Sequence, residues 1–177
     1  MSAHKSDNIV IGLGGGCHWC TEAVFASIKG INQIQQGWLM TEPPADTFSE
    51  GILIEFDNEI ISLEDIITIH IETHSASSQH SMREKYRSAI YIKQDSLKKK
   101  IKIILKRVQS QYNYTLITQI LSLTDFKPQD KEEYIDYYYK NPKKPFCQTH
   151  ISSKLKHLLV HHKKLISKIK LDFLEKN

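Results

Sequence analysis

The sequence predicts an α+β fold: a mixed β-sheet covered by helices, followed by an irregular segment and a C-terminal helix. Short apolar runs typical of strands and amphipathic stretches typical of helices are mixed without strict alternation, and several strands are close neighbours in sequence. The chain has 177 residues, 40% hydrophobic and 25% charged, which suffices for one domain with a sizeable core. We expect a single domain over residues 1–177, with a core over 8–147 and the C-terminal helix over about 152–175.

Five short segments have the pattern of β-strands. NIVIGLG is an apolar run that ends in glycines, and EGILIEFD alternates as a strand does. The other predicted strands are INQIQQGW, YRSAIYI and LITQILSL. TEPPADT is predicted as a loop because it is rich in proline and polar residues.

Four segments before the C-terminal helix have helical spacing. The first runs from Cys17 toward Gly30, a natural stop for a helix. SLEDIITIHIETH opens with Ser62 and Asp65 in positions that resemble a capping box. SLKKKIKIILKRVQSQ is amphipathic, and KPQDKEEYIDYYYKN is predicted as a short helix that stops at Pro142.

Composition and charge exclude several classes of protein. The N-terminus lacks the apolar run of a signal peptide, and no segment approaches the ~18 apolar residues of a membrane span. The net charge of +4 is concentrated in SSKLKHLLVHHKKLISKIK, which is typical of the solvated face of a helix. No nucleic-acid motif accompanies it, so we expect neither nucleic acid nor membrane as a partner. Three cysteines do not make a disulfide scaffold, which favours a cytoplasmic protein.

The stretch GLGGGCHWCTEAVF, in which Cys17 follows a glycine turn at the start of a helix, is the strongest candidate for a functional site. The free N–H groups and the dipole of a helix N-terminus favour a thiolate, which makes such a cysteine nucleophilic. His18 and Trp19 stand where a phosphate loop needs lysine followed by serine or threonine, and a dinucleotide fingerprint lacks its third glycine. A buried, inert cysteine remains an open alternative from position alone.

Four segments in the correct order carry a resemblance to a known family. GGGCHWCTEAVF, SEGILIEFD, KYRSAIY and EEYIDYYYKNPKKPFC closely resemble the conserved segments of the A-type peptide methionine sulfoxide reductases. Together they span most of the chain, which is far more specific than any one motif. The resemblance implies a two-layer α/β plait with an irregular C-terminal part.

The resemblance implies roles for individual residues. The catalytic residues it implies are the nucleophile Cys17, the acid Glu50, the hydroxyl donor Tyr86 and the resolving cysteine Cys147. Trp19 resembles the wall that holds the substrate's methyl group, and His18 and Trp38 occupy neighbouring substrate-binding positions. Without the resemblance, an exposed strand-edge carboxylate at Glu50 and a packed aromatic at Tyr86 would be the simpler interpretations.

The implied chemistry is thiol-dependent reduction of methionine S-sulfoxide, free or in proteins. A soft thiolate attacks the sulfoxide sulfur, and a carboxylic acid with a pKa raised by burial protonates the oxygen. The product at Cys17 is a sulfenic acid, which a second thiol converts to a disulfide. The family implies thioredoxin or another dithiol as the external reductant, no bound cofactor and a monomer. Cys147 is favoured as the resolving thiol over Cys20, because a disulfide one helical turn away would strain the helix.

The chain departs from the family pattern at several positions. His18 replaces the usual phenylalanine, which makes the methyl pocket more polar. The loop between Gly37 and Glu50 is short and lacks the usual tyrosine. The active-site aspartate has no counterpart, with Ser81 as the nearest polar residue, and Ile135 replaces a frequent histidine.

Three other functions remain open from the sequence. Cys17, Cys20, Cys147 and His150 would make a tetrahedral zinc site if the fold brought them together. Cys17 and Cys20 alone form the C-x-x-C pair of a thiol–disulfide oxidoreductase. An inactive relative that binds methionine-containing peptides is the third alternative.

Overall fold

The computed structural model describes residues 7–177 and has a six-stranded sheet at its centre. The strands are β1 (Asn8–Gly14), β2 (Ile31–Met40), β3 (Ser49–Asp57), β4 (Ala89–Ile92), β5 (Gln119–Ser122) and β6 (Asp125–Pro128). Their order across the sheet is β5-β4-β1-β3-β2-β6. Only the β4–β5 pair is parallel among these neighbours, so the predicted mixed sheet and α+β class are confirmed.

The helices are α1 (His18–Ala26), α2 (Leu63–Glu72), α3 (Ser96–Gln109), α4 (Tyr137–Lys140), α5 (Ser152–His161) and α6 (Lys168–Lys176). Short 3₁₀ turns cover Glu132–Tyr134 and Lys163–Leu165, and a π-helical turn covers Cys147–Ile151. Ser62 caps α2, because its hydroxyl accepts the backbone N–H of Asp65 at 3.0 Å and donates to the Asp65 carboxylate at 2.8 Å, but the reciprocal bond to the Ser62 N–H that completes a capping box is not formed. Within residues 7–177, none of these helices combines the length and apolar character needed to cross a bilayer.

The main core lies between one face of the sheet and the helices. Alternate residues of the two central strands point into it and are almost fully buried: Ile11, Leu13, Ile52, Ile54 and Phe56. Phe25 of α1 and Ile66 of α2 belong to the same apolar cluster. A smaller cluster of Leu39, Ala89 and Tyr91 lies on the opposite face of the sheet. Most of the buried apolar side chains therefore lie between one face of the sheet and the layer of helices that covers it.

The C-terminal helix predicted over about 152–175 is interrupted, so that prediction was wrong in detail. The helix α5 ends at His161, and the chain becomes extended at Ile166 before α6 begins. Ile166 forms a β-bridge with Ile28, and Ser167 donates its N–H to the Ser27 carbonyl at 2.8 Å. These long-range hydrogen bonds to the end of α1 compete with helical continuation and break the helix.

Two other local predictions differ from the structure. The segment predicted as one short helix begins with the last two residues of β6 and continues through a 3₁₀ turn to α4, because Asp125–Pro128 pairs with β2 at the sheet edge. The stretch before Ser152 was predicted to be irregular, yet Cys147 begins a π-helical turn and has no exposed surface. Its π-helical turn runs directly into α5 and packs the thiol into the main core.

Two histidines of the α2 region hold the glycine turn that follows β1. The ring of His70 donates from Nε2 to the Gly14 carbonyl at 2.8 Å. His74 bonds through Nδ1 to the His70 carbonyl and accepts the Ser88 hydroxyl at Nε2, 2.7 Å away. Gly15 has a φ of +153°, and a Cβ there would collide with the His74 ring, so only glycine fits. Burial of both rings favours the neutral imidazole over the charged imidazolium.

We expect acid to destabilise the fold through these histidines. Burial lowers the pKa of His70 well below 6.5 and that of His74 from 6.5 to about 4. Between the folded-state pKa and the unfolded-state pKa of each ring, the unfolded chain binds a proton that the folded chain excludes. The contribution of each ring to the free energy of unfolding is therefore fully present above the unfolded-state pKa and is lost as the pH falls. Urea unfolding should show a loss of about 2 kcal/mol between pH 7 and pH 5 from His74 alone.

A matched pair of variants checks this assignment. His74→Gln should reduce the difference between the free energies of unfolding at pH 7 and pH 5. This holds even if the variant is less stable than the original chain at both pH values. His80→Gln, which changes an exposed loop histidine, should leave the difference unchanged. An unaltered pH dependence in the His74 variant would show that protonation of this ring does not limit stability in acid.

Candidate active site

Cys17 is the N-cap residue of α1, directly after the glycine turn. Its carbonyl accepts the backbone N–H groups of Cys20 and Thr21 at 3.1 and 3.2 Å, which starts the helix. The contact with the Cys20 thiol lowers the pKa of Cys17, burial opposes this, and the N–H groups of Trp19 and Cys20 lower the pKa further. The net direction is downward, which favours the thiolate form of Cys17.

Glu50 lies on β3 beside the start of α1 and is 8% exposed. Its Oε2 accepts the backbone N–H of His18 at 3.2 Å, and its Oε1 lies 3.6 Å from the Lys85 ammonium. The backbone N–H of Glu50 donates to the Lys85 carbonyl at 2.8 Å, which fixes the strand against the segment carrying Tyr86. Glu50 is therefore a buried carboxylate directed at the helix N-terminus, and it is not the exposed strand-edge residue of the simpler interpretation.

His18 is held in one orientation by the sheet. Its Nδ1 donates to the Gly37 carbonyl at 3.1 Å, which leaves Nε2 facing Glu50 Oε2 at 3.8 Å. Burial lowers the pKa of His18, with the nearby Glu50 opposing that effect. A neutral imidazole therefore replaces the phenyl ring of the family pattern, in edge contact with Trp38 at a centroid distance of 5.1 Å.

Arg83 connects the segment before Tyr86 to the glycine turn. Its guanidinium Nη1 donates to the carbonyls of Gly15 and Tyr86, both at 3.0 Å. The Lys85 ammonium lies 5.0 Å from the centre of the Tyr86 ring. Tyr86 is therefore placed beside Cys17 by a side chain to which the sequence analysis gave no role.

One open cavity of about 630 Å³ collects nearly all predicted site residues. Its lining includes Cys17, His18, Trp19, Trp38, Glu50 and Tyr86. Sequence patterns did not predict the other lining residues, which are Lys85, Lys127, Gln129, Asp130, Lys131, Tyr134 and Phe146. Of the seven predicted positions, only Cys147 lies outside this lining. The nucleophile, the carboxylate, the hydroxyl and the aromatic wall thus face one volume.

Trp19 belongs to an aromatic wall. Its ring stacks on Tyr137 at 4.2 Å, lies 5.2 Å from Tyr134, and meets the edge of Phe146 at 5.3 Å. This stacking fixes an apolar face on the cavity side, as a methyl-binding wall requires. The tyrosine-rich segment contained this signal, but only the folded chain shows which of its rings reach Trp19.

The other two cysteines are buried behind Cys17. Burial raises the pKa of Cys147, with Lys144 opposing the change. The pKa of Cys20 is raised more strongly, first by its contact with Cys17 and then by burial. A second cavity of about 260 Å³ reaches Cys17 and Cys20 from this side, and Lys154, His74 and His150 are among its lining residues. The Lys154 ammonium donates to the Thr73 carbonyl and lies near the thiols of Cys17 and Cys20.

Some expectations for individual residues are not met by the geometry. Ser81 does not line the cavity around Cys17, so it is no substitute for the absent aspartate there. Asp130 and Tyr134, from the connection between β6 and α4, bring a carboxylate and a phenol to the cavity instead. Spacing along the chain did not reveal them, because the pairing of β6 with β2 places them there.

The tetrahedral zinc alternative does not match the arrangement of side chains. It needs ligand atoms of Cys17, Cys20, Cys147 and His150 within bonding distance of one ion. In the part of the chain that the structure describes, no three of these residues bring their ligand atoms within 4.8 Å of one another.

Comparison with known proteins agrees with the site. The family model for peptide methionine sulfoxide reductase matches residues 9–166. A relative named peptide methionine sulfoxide reductase MsrA, from Psychrobacter sp. strain PRwf-1, is 28% identical and covers 88% of this chain and 97% of its own length.

The solved structures with similar folds include two of Mxr1 from Saccharomyces cerevisiae. The reduced form superposes with a TM-score of 0.70 at 21% identity, covering 85% of this chain and 94% of its own. Mxr1 in complex with Trx2 gives a TM-score of 0.58 at 19% identity, covering 75% and 91%. At this identity the solved structures establish the fold alone. The family assignment rests on the family model, which matches residues 9–166. The chain belongs to the peptide methionine sulfoxide reductase family.

Proposed function

We propose that this chain reduces methionine S-sulfoxide, free or in proteins, through a sulfenic acid on Cys17 and a disulfide with Cys147 that thioredoxin reduces. One observation carries the proposal: a single cavity contains a thiol of lowered pKa, a buried carboxylate, a tyrosine hydroxyl and a fixed tryptophan face. A sulfoxide needs a soft nucleophile at sulfur, a proton at oxygen and an apolar surface for its methyl group, and these residues provide all three.

In the first step the Cys17 thiolate attacks the sulfoxide sulfur. Glu50 delivers a proton to the sulfoxide oxygen as the sulfur–oxygen bond weakens, and Tyr86 donates a hydrogen bond to the same oxygen. The oxygen leaves the substrate and ends as the hydroxyl of a sulfenic acid on Cys17. The substrate sulfur gains two electrons and the Cys17 sulfur loses two, so the step is balanced without a bound cofactor.

The polar contacts of Glu50 suit this proton transfer. The His18 N–H holds one carboxyl oxygen, and the exposed Lys85 ammonium lies beside the other. The pKa of Lys85 is raised by Tyr86 and Glu50, which keeps the ammonium protonated near the entrance. Because the cavity is open, solvent can return a proton to Glu50 after each turnover.

In the second step the Cys147 thiol attacks the Cys17 sulfur. A sulfur–sulfur bond forms, the Cys17 S–OH bond breaks, and the hydroxide leaves as water with the proton of the attacking thiol. Because Cys147 is fully buried, its π-helical turn must open toward Cys17 for this step. Such turns are frequent at functional sites.

Cys20 is the competing resolving thiol, and its surroundings make it a poorer nucleophile. Its pKa is raised by the Cys17 contact and by burial, and the burial contribution persists after Cys17 is oxidised. It also lies one turn along α1, where bridging to Cys17 distorts the helix.

The external reductant then acts on the Cys17–Cys147 disulfide. The solved complex of yeast Mxr1 with the thioredoxin Trx2 supports a thioredoxin in this role.

Glu50→Gln should slow the first step about 100-fold or more, because the amide keeps the His18 contact but cannot donate a proton. The measurement is single-turnover release of methionine from a methionine sulfoxide peptide, and the effect should be largest at neutral and higher pH. Glu22→Gln is the matched control, since Glu22 is a buried carboxylate of α1 outside the cavity lining. Equal rates in the Glu50 variant and the control would remove Glu50 from the mechanism.

The resolving thiol is tested by two serine variants. Cys147→Ser should release one equivalent of methionine, accumulate sulfenic acid and fail to turn over with thioredoxin, whereas a small dithiol should rescue it. Cys20→Ser should recycle nearly normally, and peptide mapping of the oxidised chain should find Cys17 joined to Cys147. A Cys17–Cys20 bridge together with a dispensable Cys147 would instead establish the C-x-x-C reaction.

A further inference from the structure

Three side chains converge at the end of α2, on a part of the molecule that the reductase mechanism does not use. The Glu72 carboxylate oxygen Oε2 lies 2.8 Å from His157 Nε2 and 2.5 Å from His162 Nε2. The ligand atoms of these three residues all lie within 4.8 Å of one another. In residues 7–177 this is the only group of three or more histidine, cysteine or carboxylate side chains with that property.

The end of α5 creates this convergence. On a continuous helix, a residue five positions after His157 would be rotated by about 140° from it and would point elsewhere. His162 leaves the helical conformation, with φ −133° and ψ 26°, and donates its backbone N–H to the Leu158 carbonyl at 2.7 Å. The break therefore returns the His162 ring to the side of the helix that faces Glu72.

The carboxylate is fixed from behind by a phenol. The Tyr112 hydroxyl donates to Glu72 Oε1 at 3.1 Å, which leaves Oε2 directed at the two imidazoles. Burial raises the pKa of Glu72, but the hydrogen bonds from His157 and His162 outweigh it, so the net direction is downward. An anionic oxygen and two imidazole nitrogens thus point at one position, and the outer contact resembles those that orient metal-binding carboxylates.

We propose that Glu72, His157 and His162 bind one zinc ion. Two imidazole nitrogens and one carboxylate oxygen are ligands that Zn²⁺ prefers, at about 2.0–2.2 Å, and water fills the fourth tetrahedral position. Ligands of such an ion lie about 3.3 Å apart, so the Oε2–Nε2 contacts of 2.8 and 2.5 Å lengthen when the ion replaces these hydrogen bonds. Each imidazole presents an unprotonated Nε2 to the ion and keeps its proton on Nδ1, and the 35% exposure of the His157 side chain lets the ion enter.

Zinc here acts as a structural brace. It joins the last residue of α2 to the end of α5, two elements far apart in sequence. The beginning of α5 follows directly on the turn that contains Cys147, and α2 leads into the segment with His74. Because Zn²⁺ has no redox chemistry, it stabilises this framework without consuming the thiols of the reductase site.

The test is a zinc titration of the full chain, with competition against a chromophoric chelator. We expect one zinc per chain, and a Tm about 5–10 °C higher at free zinc about 100-fold above Kd.

Because cysteines also bind zinc, the same titration is made with Co²⁺, whose absorption reports thiolate ligands by intense charge-transfer bands. Weak ligand-field bands alone support the proposed ligands. Intense thiolate bands at the first equivalent, or no stoichiometric binding, would overturn the proposal.

Single substitutions identify the ligands. Glu72→Gln, His157→Ala and His162→Ala should each weaken zinc binding at least about tenfold and remove the zinc-dependent rise in Tm. His161→Ala is the matched control, since that imidazole lies beside His157, with ring centroids 4.5 Å apart, but is not in the cluster. Equal loss of affinity in the control would contradict this ligand set. Circular dichroism of each metal-free variant separates lost binding from lost folding.

Discussion

The hydrogen bond from the buried His70 ring to the Gly14 carbonyl fixes the point from which the active site is built. It ties the end of β1 to α2, so the glycine turn has one path into α1. Gly15 packs directly on the His74 ring, and Arg83 holds the Gly15 carbonyl from the other side. Cys17 therefore reaches the helix N-terminus in a defined position. A turn that could move would lose both the helix contacts that favour the thiolate and the alignment with Glu50.

Within the site, the nucleophile and the acid influence each other electrostatically. A charged Glu50 raises the pKa of Cys17, against the lowering by the Cys20 thiol and the backbone N–H groups. The thiolate is therefore favoured most when Glu50 carries the proton that it donates in the proposed first step. The neutral His18 ring, held by Gly37, adds no fixed charge between the two groups.

Local signals in the sequence predicted the elements whose structure is decided by near neighbours. Ser62 caps α2 as expected, and the glycine-rich strand–helix junction places Cys17 at an N-terminus. The position of Cys147 was not predictable in this way, because its burial depends on α5 packing against distant elements. The break at His162 likewise depends on Ile28 and Ser27, which are remote in sequence. Asp130 and Tyr134 reach the cavity only because β6 adds to the sheet edge.

The most direct test of the account is reduction of a methionine sulfoxide peptide that contains both sulfur epimers, with a dithiol as reductant. A chiral sulfur presents its methyl group, oxygen and side chain to different walls of the cavity. Only one epimer can place the methyl group on Trp19 while the oxygen reaches Glu50 and Tyr86. The account predicts complete consumption of the S-epimer with the R-epimer left intact. Equal consumption of both epimers, or no consumption of either, would contradict it.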